Sequence, residues 1–360
     1  MSDRSDLVQA FRTQARACGE LGSPFMAALL DHAASELDRA GSIGGLLTSW
    51  EGDPVQDAVP LRLAAALHAL VLSGSDPDLA ALYPPSDRAG SAEEVWRAAL
   101  AAIRAHRPVV ETFLGSPPQT NEVGRSAVLL GGFLEIARAT NGKPIRMLEI
   151  GASAGLNLLW DRYRYELGGR ARWGGANSTV VIRADWKGPL PPLDARVVVA
   201  ERAGSDSEPV DLGGKQARLR LRAYVWADQP ARMKLLDAAM DLVRHEGIQV
   251  ERSEAAAWVA KRLQAPAPGC ATVLYHSIAW EYFPEDTKSH VRSTVEKAGA
   301  RPGADSPLAW LRLEPPSDGA PGGGQPELRL TLWPGGRERC LARAHTHGPP
   351  VTWLDDSADE

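Results

Sequence analysis

The sequence has few cysteines, and none are spaced as in a metal or disulfide motif. Its three cysteines, Cys18, Cys270 and Cys340, are odd in number and lie far apart. This pattern predicts free thiols in a reducing compartment and no metal site. Long apolar runs are also lacking, since none approaches the ~20 residues of a membrane span. The polar amino terminus does not resemble a signal peptide, so we expect a cytoplasmic protein with no membrane partner.

Net positive charge is lacking as well. The chain has 40 Lys and Arg residues against 45 Asp and Glu residues, which gives a net charge of −5. No basic stripe suggests a nucleic-acid partner, so a small-molecule substrate is the expected one. A hydrophobic content of 44% in 360 residues supports a substantial core, in one large or two modest domains. The oligomeric state stays open.

The residues around 145–159 have the pattern of a ligand-binding turn. Residues 145–150 form a mostly apolar strand pattern, and residues 151–155 contain only Gly, Ala and Ser. Apolar residues at helical spacing follow over 156–167. A strand, a small-residue loop and a helix form the nucleotide-binding unit of open α/β sheets. The alternative is an ordinary strand and turn with no ligand.

An acid beside this loop separates two classes of ligand. A dinucleotide site has the spacing G-x-G-x-x-G, and a carboxylate at Glu149 would repel its pyrophosphate. The stretch instead resembles motif I of class I S-adenosylmethionine (SAM) dependent methyltransferases, E/D-x-G-x-G-x-G, with Ser153 replacing the middle glycine. This resemblance implies SAM as the cofactor. The cofactor ligands that it implies in this stretch are Glu149, Gly151, Ala152, Ser153, Gly155 and Asn157.

The chain before this motif is patterned as helices. Three- and four-residue apolar spacing predicts a helical lid domain over residues 1–140, an α/β domain over 143–354 and an acidic tail over 355–360. Asn121, Glu122 and Arg125 precede a helix predicted over 126–139. They either face a substrate at the cofactor site or form a helix cap with an exposed ion pair.

Acids after the motif are candidates for binding the rest of the cofactor. The pattern predicts strands over 178–186, 195–202 and 219–226, and helices over 231–245 and 255–263. The acid that ends the second strand of a nucleotide-binding sheet binds ribose hydroxyls. Glu201 is the candidate, and Asp185 is its rival. Glu254 matches the acid that the resemblance places near the adenine, or it is an acid favoured by a helix dipole.

The apolar run over residues 271–277 predicts a fourth strand beside the first. His276 and Ser277 at its tip, with Tyr282 behind them, are the candidate catalytic residues, and Trp280 is a candidate for substrate binding. A histidine with an ordinary pKa of about 6.5 suits a base near neutral pH. The alternative is a strand-end histidine bonded to the backbone, with core aromatic residues nearby. A strand over 307–314 and a hairpin over 327–345 complete the predicted sheet.

Five stretches extend the resemblance to most of the chain. They are Thr-Asn-Glu at 120–122, Leu-Glu-Ile-Gly-Ala-Ser-Ala-Gly-Leu-Asn at 148–157, Tyr-Val-Trp-Ala-Asp-Gln at 224–229, His-Ser-Ile-Ala-Trp-Glu-Tyr at 276–282 and Leu-Trp-Pro-Gly-Gly at 332–336. On these stretches the chain resembles an uncharacterised bacterial family common in actinobacteria, domain of unknown function 2332. The resemblance implies an N-terminal helical domain, then a Rossmann-like class I methyltransferase sheet with a C-terminal antiparallel hairpin. It implies no substrate, since fold alone does not give function.

Four functions are compatible with these residues. The first is a SAM-dependent methyltransferase acting on a small molecule, with the N-terminal helices as its lid. The second is a SAM-consuming cyclase or lyase that does not methylate. The third is a catalytically silent SAM-fold protein that binds a ligand. The fourth is an NAD-binding protein, and Glu149 argues against it. Under the first two, replacing Glu149 with alanine abolishes SAM binding.

Overall fold

Helices dominate the first third of the chain, and strands alternate with helices after it. The computed structural model describes residues 4–39, 43–47, 50–86, 90–301, 303, 305–316 and 324–354, so the predicted acidic tail lies outside the described residues. The helices are α1 Arg4–Glu20, α2 Pro24–Asp38, α3 Gly44–Leu47, α4 Val59–Leu72, α5 Pro77–Ala80, α6 Ala92–Ala105, α7 Arg107–Leu114, α8 Ser126–Ala139, α9 Lys215–Ala223, α10 Pro230–Glu246, α11 Ala255–Arg262 and α12 Glu285–Gly299.

The strands in the described part of the chain all begin after residue 144. They are β1 Ile145–Ile150, β2 Arg164–Leu167, β3 Ala171–Trp173, β4 Val181–Ala184, β5 Trp186–Lys187, β6 Val199–Asp206, β7 Glu251–Arg252, β8 Ala271–Ser277, β9 Leu308–Glu314, β10 Glu327–Trp333, β11 Arg337–His345 and β12 Gly348–Trp353. The protein is therefore an α/β protein. No helix among the described residues is both long enough and apolar enough to cross a membrane.

Two compact units divide the chain differently from the predicted domains. The first contains Met1–Thr120 and Gly213–Lys234, and the second contains Asn121–Leu212 and Leu235–Glu360. Helix α8 therefore belongs to the second unit, although the predicted helical domain included it. The first unit instead includes the later segment Gly213–Lys234, which contains α9.

The first unit is a bundle of helices, and most of them contribute to one large apolar cluster. Helix α4 is buried along most of its length because its sequence is almost continuously apolar. Helix α6 begins with the capping box that its sequence indicates, in which Ser91 and Glu94 bond each other's backbone N–H groups. The strand predicted over 219–226 is wrong, since α9 occupies most of it. In this helix Leu221 is buried, and the neighbouring Arg220 and Arg222 are partly buried.

A nine-stranded mixed sheet forms the centre of the second unit. Its order is β7-β6-β1-β8-β9-β10-β11-β12-β5, and neighbours from β7 to β9 are parallel. Strands β10, β11 and β12 follow in antiparallel order, which confirms the predicted C-terminal hairpin. A second, three-stranded sheet has the order β3-β2-β4. The parallel part has the doubly wound order 3-2-1-4-5, so the chain reverses its direction of winding at β1.

Strand β1 is buried because both faces of the sheet are covered. Leu148 packs in an apolar cluster with Trp258 of α11 and Val291 of α12. On the other face, Trp160 donates its indole N–H to the sulfur of Met147 at 3.1 Å. The near-continuous apolar sequence of β1 is the pattern that a strand buried on both sides requires.

The helix predicted over 156–167 is wrong in its second half. A 3₁₀ helix, Leu156–Arg162, ends there and β2 follows. Tyr163 and Tyr165 are fully buried, and their hydroxyls donate to the carbonyls of Leu156 and Trp160 at 2.5 and 2.6 Å. These bonds satisfy carbonyl groups that a longer α-helix would use for its own backbone.

Candidate functional site

The carboxyl ends of β1, β6, β8 and β9 lie side by side in the sheet. The residues at these ends are Ile150, Asp206, Ser277 and Glu314. In open α/β sheets, ligands bind at this edge where the winding reverses. Most of the predicted site residues are on these strand ends or on the loops that follow them.

Glu149 is a buried acid near the end of the central strand. It is 1% exposed, and the Tyr275 hydroxyl donates to its Oε2 at 3.2 Å. Burial is the main cause that raises the pKa of Glu149 to about 8. The nearby charge of Asp206 acts in the same direction, while the hydrogen bond from Tyr275 and the charge of Arg125 act in the opposite direction. Among the described residues no cationic side chain forms a salt bridge with it. A carboxyl group in this setting is favourable for a ligand that brings a positive charge.

The small-residue loop after β1 is held by its own chain. Gly151, Ser153 and Gly155 all have left-handed backbones, with φ of 68°, 52° and 76°. The Ser153 N–H donates to Asp206 Oδ2 at 2.9 Å. A Cβ on Gly151 would lie 2.6 Å from the Cβ of Ala279. The glycine is therefore required for packing between two loops of this edge.

The predicted ribose acid needs correction. Strand β6 ends at Asp206, whereas Glu201 lies in its first half, paired with Arg146 at 2.9 Å. Asp185 is exposed between β4 and β5 and is also away from the edge. The acid at the strand end is Asp206. The sequence did not indicate this strand end. A Cβ on Gly204 would lie 2.8 Å from the Cβ of Ala152, so the glycine lets β6 lie close to the loop.

Glu254 has the contacts of a helix cap. Its carboxylate accepts from the Ala257 N–H at 3.0 Å and from the Thr287 hydroxyl at 2.8 Å. Burial acts to raise its pKa, but the hydrogen bonds from the first turn of α11 and from Thr287 outweigh burial and lower the pKa. These contacts account for the acid without an adenine.

The segment before α8 fastens the candidate site from one side. Asn121 Oδ1 accepts from the Leu156 N–H at 2.9 Å, and Asn157 Oδ1 accepts from the Ser126 hydroxyl at 2.6 Å. Arg125 is buried and donates to the Ser277 carbonyl at 2.9 Å.

Glu122 begins the short 3₁₀ helix Val123–Arg125, where its carboxylate accepts from the Gly124 N–H at 3.3 Å. The segment therefore contains the predicted helix cap. Arg125, however, is 7% exposed, so the predicted exposed ion pair is wrong for this side chain.

A buried histidine, His276, and a partly buried acid, Glu314, form a pair that the sequence alone did not indicate. His276 is fully buried, and its Nδ1 lies 2.6 Å from Glu314 Oε1. The same oxygen accepts from the N–H groups of Ala279 and Trp280 at 3.1 and 3.3 Å. The only signal for Glu314 in the sequence is that it ends a strand predicted at the same edge. With Nδ1 donating to this carboxylate, Nε2 is the acceptor of the ring, and it has no partner among the described residues.

The three predicted site residues after His276 differ in how they pack and in how exposed they are. Trp280 stacks on the His276 ring, with centroids 5.0 Å apart and planes 13° apart. Ser277 is buried, and its carbonyl accepts from Arg125. Tyr282 is 71% exposed, so its side chain is not packed against the histidine. Ile278 has a left-handed backbone with φ of 47°, which is strained for a β-branched residue.

Comparison with known proteins shows the family. The chain belongs to the family described as "Uncharacterized protein conserved in bacteria (DUF2332)", which it matches over residues 8–353. No curated protein matches the chain, and no solved structure matches it either.

Proposed function

We propose that this member of the DUF2332 family binds SAM at the carboxyl edge of β1 and β6 and transfers its methyl group to a small molecule. The observation that carries the proposal is Glu149, a buried carboxyl group that lies beside a second acid and forms no salt bridge among the described residues. Burying an uncompensated acid is costly, and functional sites are where such costs are retained.

The residues at this edge fit a cationic ligand. Glu149 offers a carboxylate when deprotonated, and Asp206 ends the neighbouring strand, where ribose hydroxyls bind in related sheets. The loop glycines add no support, since Ala279 and Val250 close the space beside Gly151 and Gly155. The proposal therefore rests on the acids and the order of the strands.

SAM, when bound, supplies a methyl group on a positively charged sulfur. Glu149 would hold the cationic end of the cofactor, and Asp206 would hold its hydroxyl groups. Glu314 positions His276 through Nδ1, and Nε2, which is buried in this structure, would be the atom that takes a proton from the acceptor. Neighbouring side chains alternate between faces of a strand, which separates His276 from the Glu149–Tyr275 side. The acceptor would therefore lie on the His276 side of β8, near the carboxyl end of the strand.

Calorimetric titration with SAM tests the proposal through proton release. Because the pKa of Glu149 is about 8, roughly nine-tenths of the group is protonated at neutral pH. A bound cation favours its ionised form, so SAM binding should release close to one proton. Titrations in two buffers of different ionisation enthalpy measure this number.

Two controls make the result specific. The Glu149→Gln variant should bind SAM more weakly and release no proton, and 5′-methylthioadenosine, which lacks the amino-acid arm, should release none from the wild type. Binding of NAD alone, or SAM binding without proton release, would contradict the role of Glu149.

A catalytically silent ligand-binding protein is the second candidate. It is favoured by the internal bonds of the loop, where Ser153 and Asp206 bond each other instead of leaving both groups open. It predicts SAM binding without turnover of the cofactor in the presence of any acceptor. A cyclase or lyase would consume SAM without an acceptor, so mass spectrometry of SAM incubated with the protein alone identifies that class. Consumption of SAM only after acceptors are added separates the methyltransferase from the silent protein.

A further inference from the structure

A cavity of about 440 Å³ lies at the opposite edge of the sheet from the candidate site. Arg146, Glu201 and Cys270 line it where β1, β6 and β8 begin. Lys261 and Arg262 line it from the end of α11. Its volume is within the range of small-molecule sites.

Arg146 presents the end of its guanidinium to this cavity. Its Nε donates to Glu201 Oε2 at 2.9 Å, and its side chain is only 15% exposed. Among the described residues, no group bonds its two Nη atoms. Arg146 lines the cavity, and its Nη atoms are not among the buried atoms that lack a partner. A carboxylate that holds an arginine through Nε leaves the planar pair of Nη groups free for a bidentate anion.

The charges around the cavity favour an anion. Arg262 Nη1 donates to the other oxygen of Glu201 at 2.9 Å, and its Nη2 bonds Glu251, so this guanidinium is neutralised by neighbours. Lys261 is exposed and bonds no described residue. Three cations, Arg146, Lys261 and Arg262, therefore meet two carboxylates, which leaves one net positive charge. Arg146 and Lys261 are the two cations with donors left for a ligand.

We propose that this cavity binds a small organic phosphate, a phosphate monoester whose dianion meets Arg146 and Lys261. The Nη pair of Arg146 would donate to two phosphoryl oxygens, and the ammonium group of Lys261 would donate to a third. Ala265, Pro266 and Ala267 form an apolar wall that would contact the organic part. The proposal does not depend on SAM, because its residues lie at the other end of the strands.

Cys270 is a natural reporter of binding in this cavity. Phenyl phosphate at about ten times its Kd should slow alkylation of Cys270 by iodoacetamide roughly tenfold in the full-length protein, at constant ionic strength. Cys340, which is half-buried on β11, serves as the internal control and should react at an unchanged rate. Phenol is the neutral control and should give no protection. Peptide mass spectrometry measures both cysteines in one sample.

Three variants relate the protection to its residues. Arg146→Lys retains the charge but removes the planar pair of donors. Lys261→Ala removes an exposed charge without disturbing the core. Each change should raise the Kd for phenyl phosphate about tenfold or more and weaken the protection of Cys270 accordingly. Lys187→Ala, at the far end of the sheet on β5, should leave protection intact. Unchanged alkylation of Cys270 would overturn the proposal, as would equal protection in Lys261→Ala. Equal protection by inorganic phosphate would overturn the assignment of an organic ester.

Discussion

Glutamine at position 149 should make the stability of the protein less dependent on pH. Below the ordinary pKa of 4.5, Glu149 is protonated in both the folded and the unfolded chain and has no effect on the pH dependence. Between 4.5 and about 8, only the unfolded chain loses the proton, so the free energy of unfolding falls as pH rises. Above about 8, both states are ionised and the loss levels off.

The size of this effect follows from the two pKa values. Each tenfold change in proton affinity corresponds to about 1.4 kcal/mol, so a pKa raised from 4.5 to about 8 costs about 5 kcal/mol in full. About 3 to 4 kcal/mol of that is lost between about pH 5 and about pH 8. Glutamine has no proton to lose, while its amide oxygen still accepts from Tyr275.

Urea denaturation at about pH 5 and about pH 8 measures the effect. The difference in unfolding free energy between Glu149→Gln and the wild type should grow by about 3 to 4 kcal/mol in favour of the variant. Glu285→Gln is the matched control because this acid is 84% exposed on α12, and its difference should stay near zero. Parallel pH curves for Glu149→Gln and the wild type would refute a buried, mostly protonated carboxyl group.

Three further changes test the strained and paired groups of the same edge. Replacing Ile278 with asparagine, which tolerates a left-handed backbone, should raise the unfolding free energy by about 1 kcal/mol in urea denaturation; a decrease would contradict strain there. Gly151→Ala should lower it by about 2 to 3 kcal/mol because its Cβ meets Ala279, and adding Ala279→Gly should restore part of the loss; additive losses would contradict the contact. Under the proposed function, Glu314→Gln should slow methyl transfer about 100-fold with SAM affinity unchanged, because His276 loses its orienting partner; unchanged turnover would remove the histidine from the reaction.

Elements with long, consistent apolar patterns could be predicted from the sequence with their bounds. β8 and α8 have the predicted limits, since each is a nearly continuous apolar run with clear ends. α9 could not be predicted, because an alternation of leucine and arginine is the pattern of a half-buried strand. Contacts with a distant part of the chain accompany the helix. Ala223 of α9 packs with Ala65 and Ala69 of α4 in an apolar cluster, and the local sequence pattern does not show this contact.

Asp206, and not Glu201, ends β6 because of a contact between residues that are far apart in the sequence. The apolar residues near 197–200 suggested a strand that ends at Glu201, but β6 continues through Gly204 to Asp206. Glycine is rare inside strands, so the pattern favours an early end. The strand continues because a residue without a Cβ lets it approach Ala152 of the loop, a contact between segments far apart in the sequence.

Gly151 and Glu149 belong to the same motif, but they differ as evidence for a ligand. Packing alone explains the glycine, whereas it does not explain the buried acid. A glycine is required wherever something lies close to the backbone, and a ligand and the Cβ of Ala279 impose the same requirement. The glycine spacing alone therefore favours neither a ligand nor a closed loop. A buried acid is different, because an apolar residue of similar size would pack at position 149 without the cost of desolvating a carboxyl group. Retention of that cost beside Asp206 is the stronger argument for a cationic ligand at this edge.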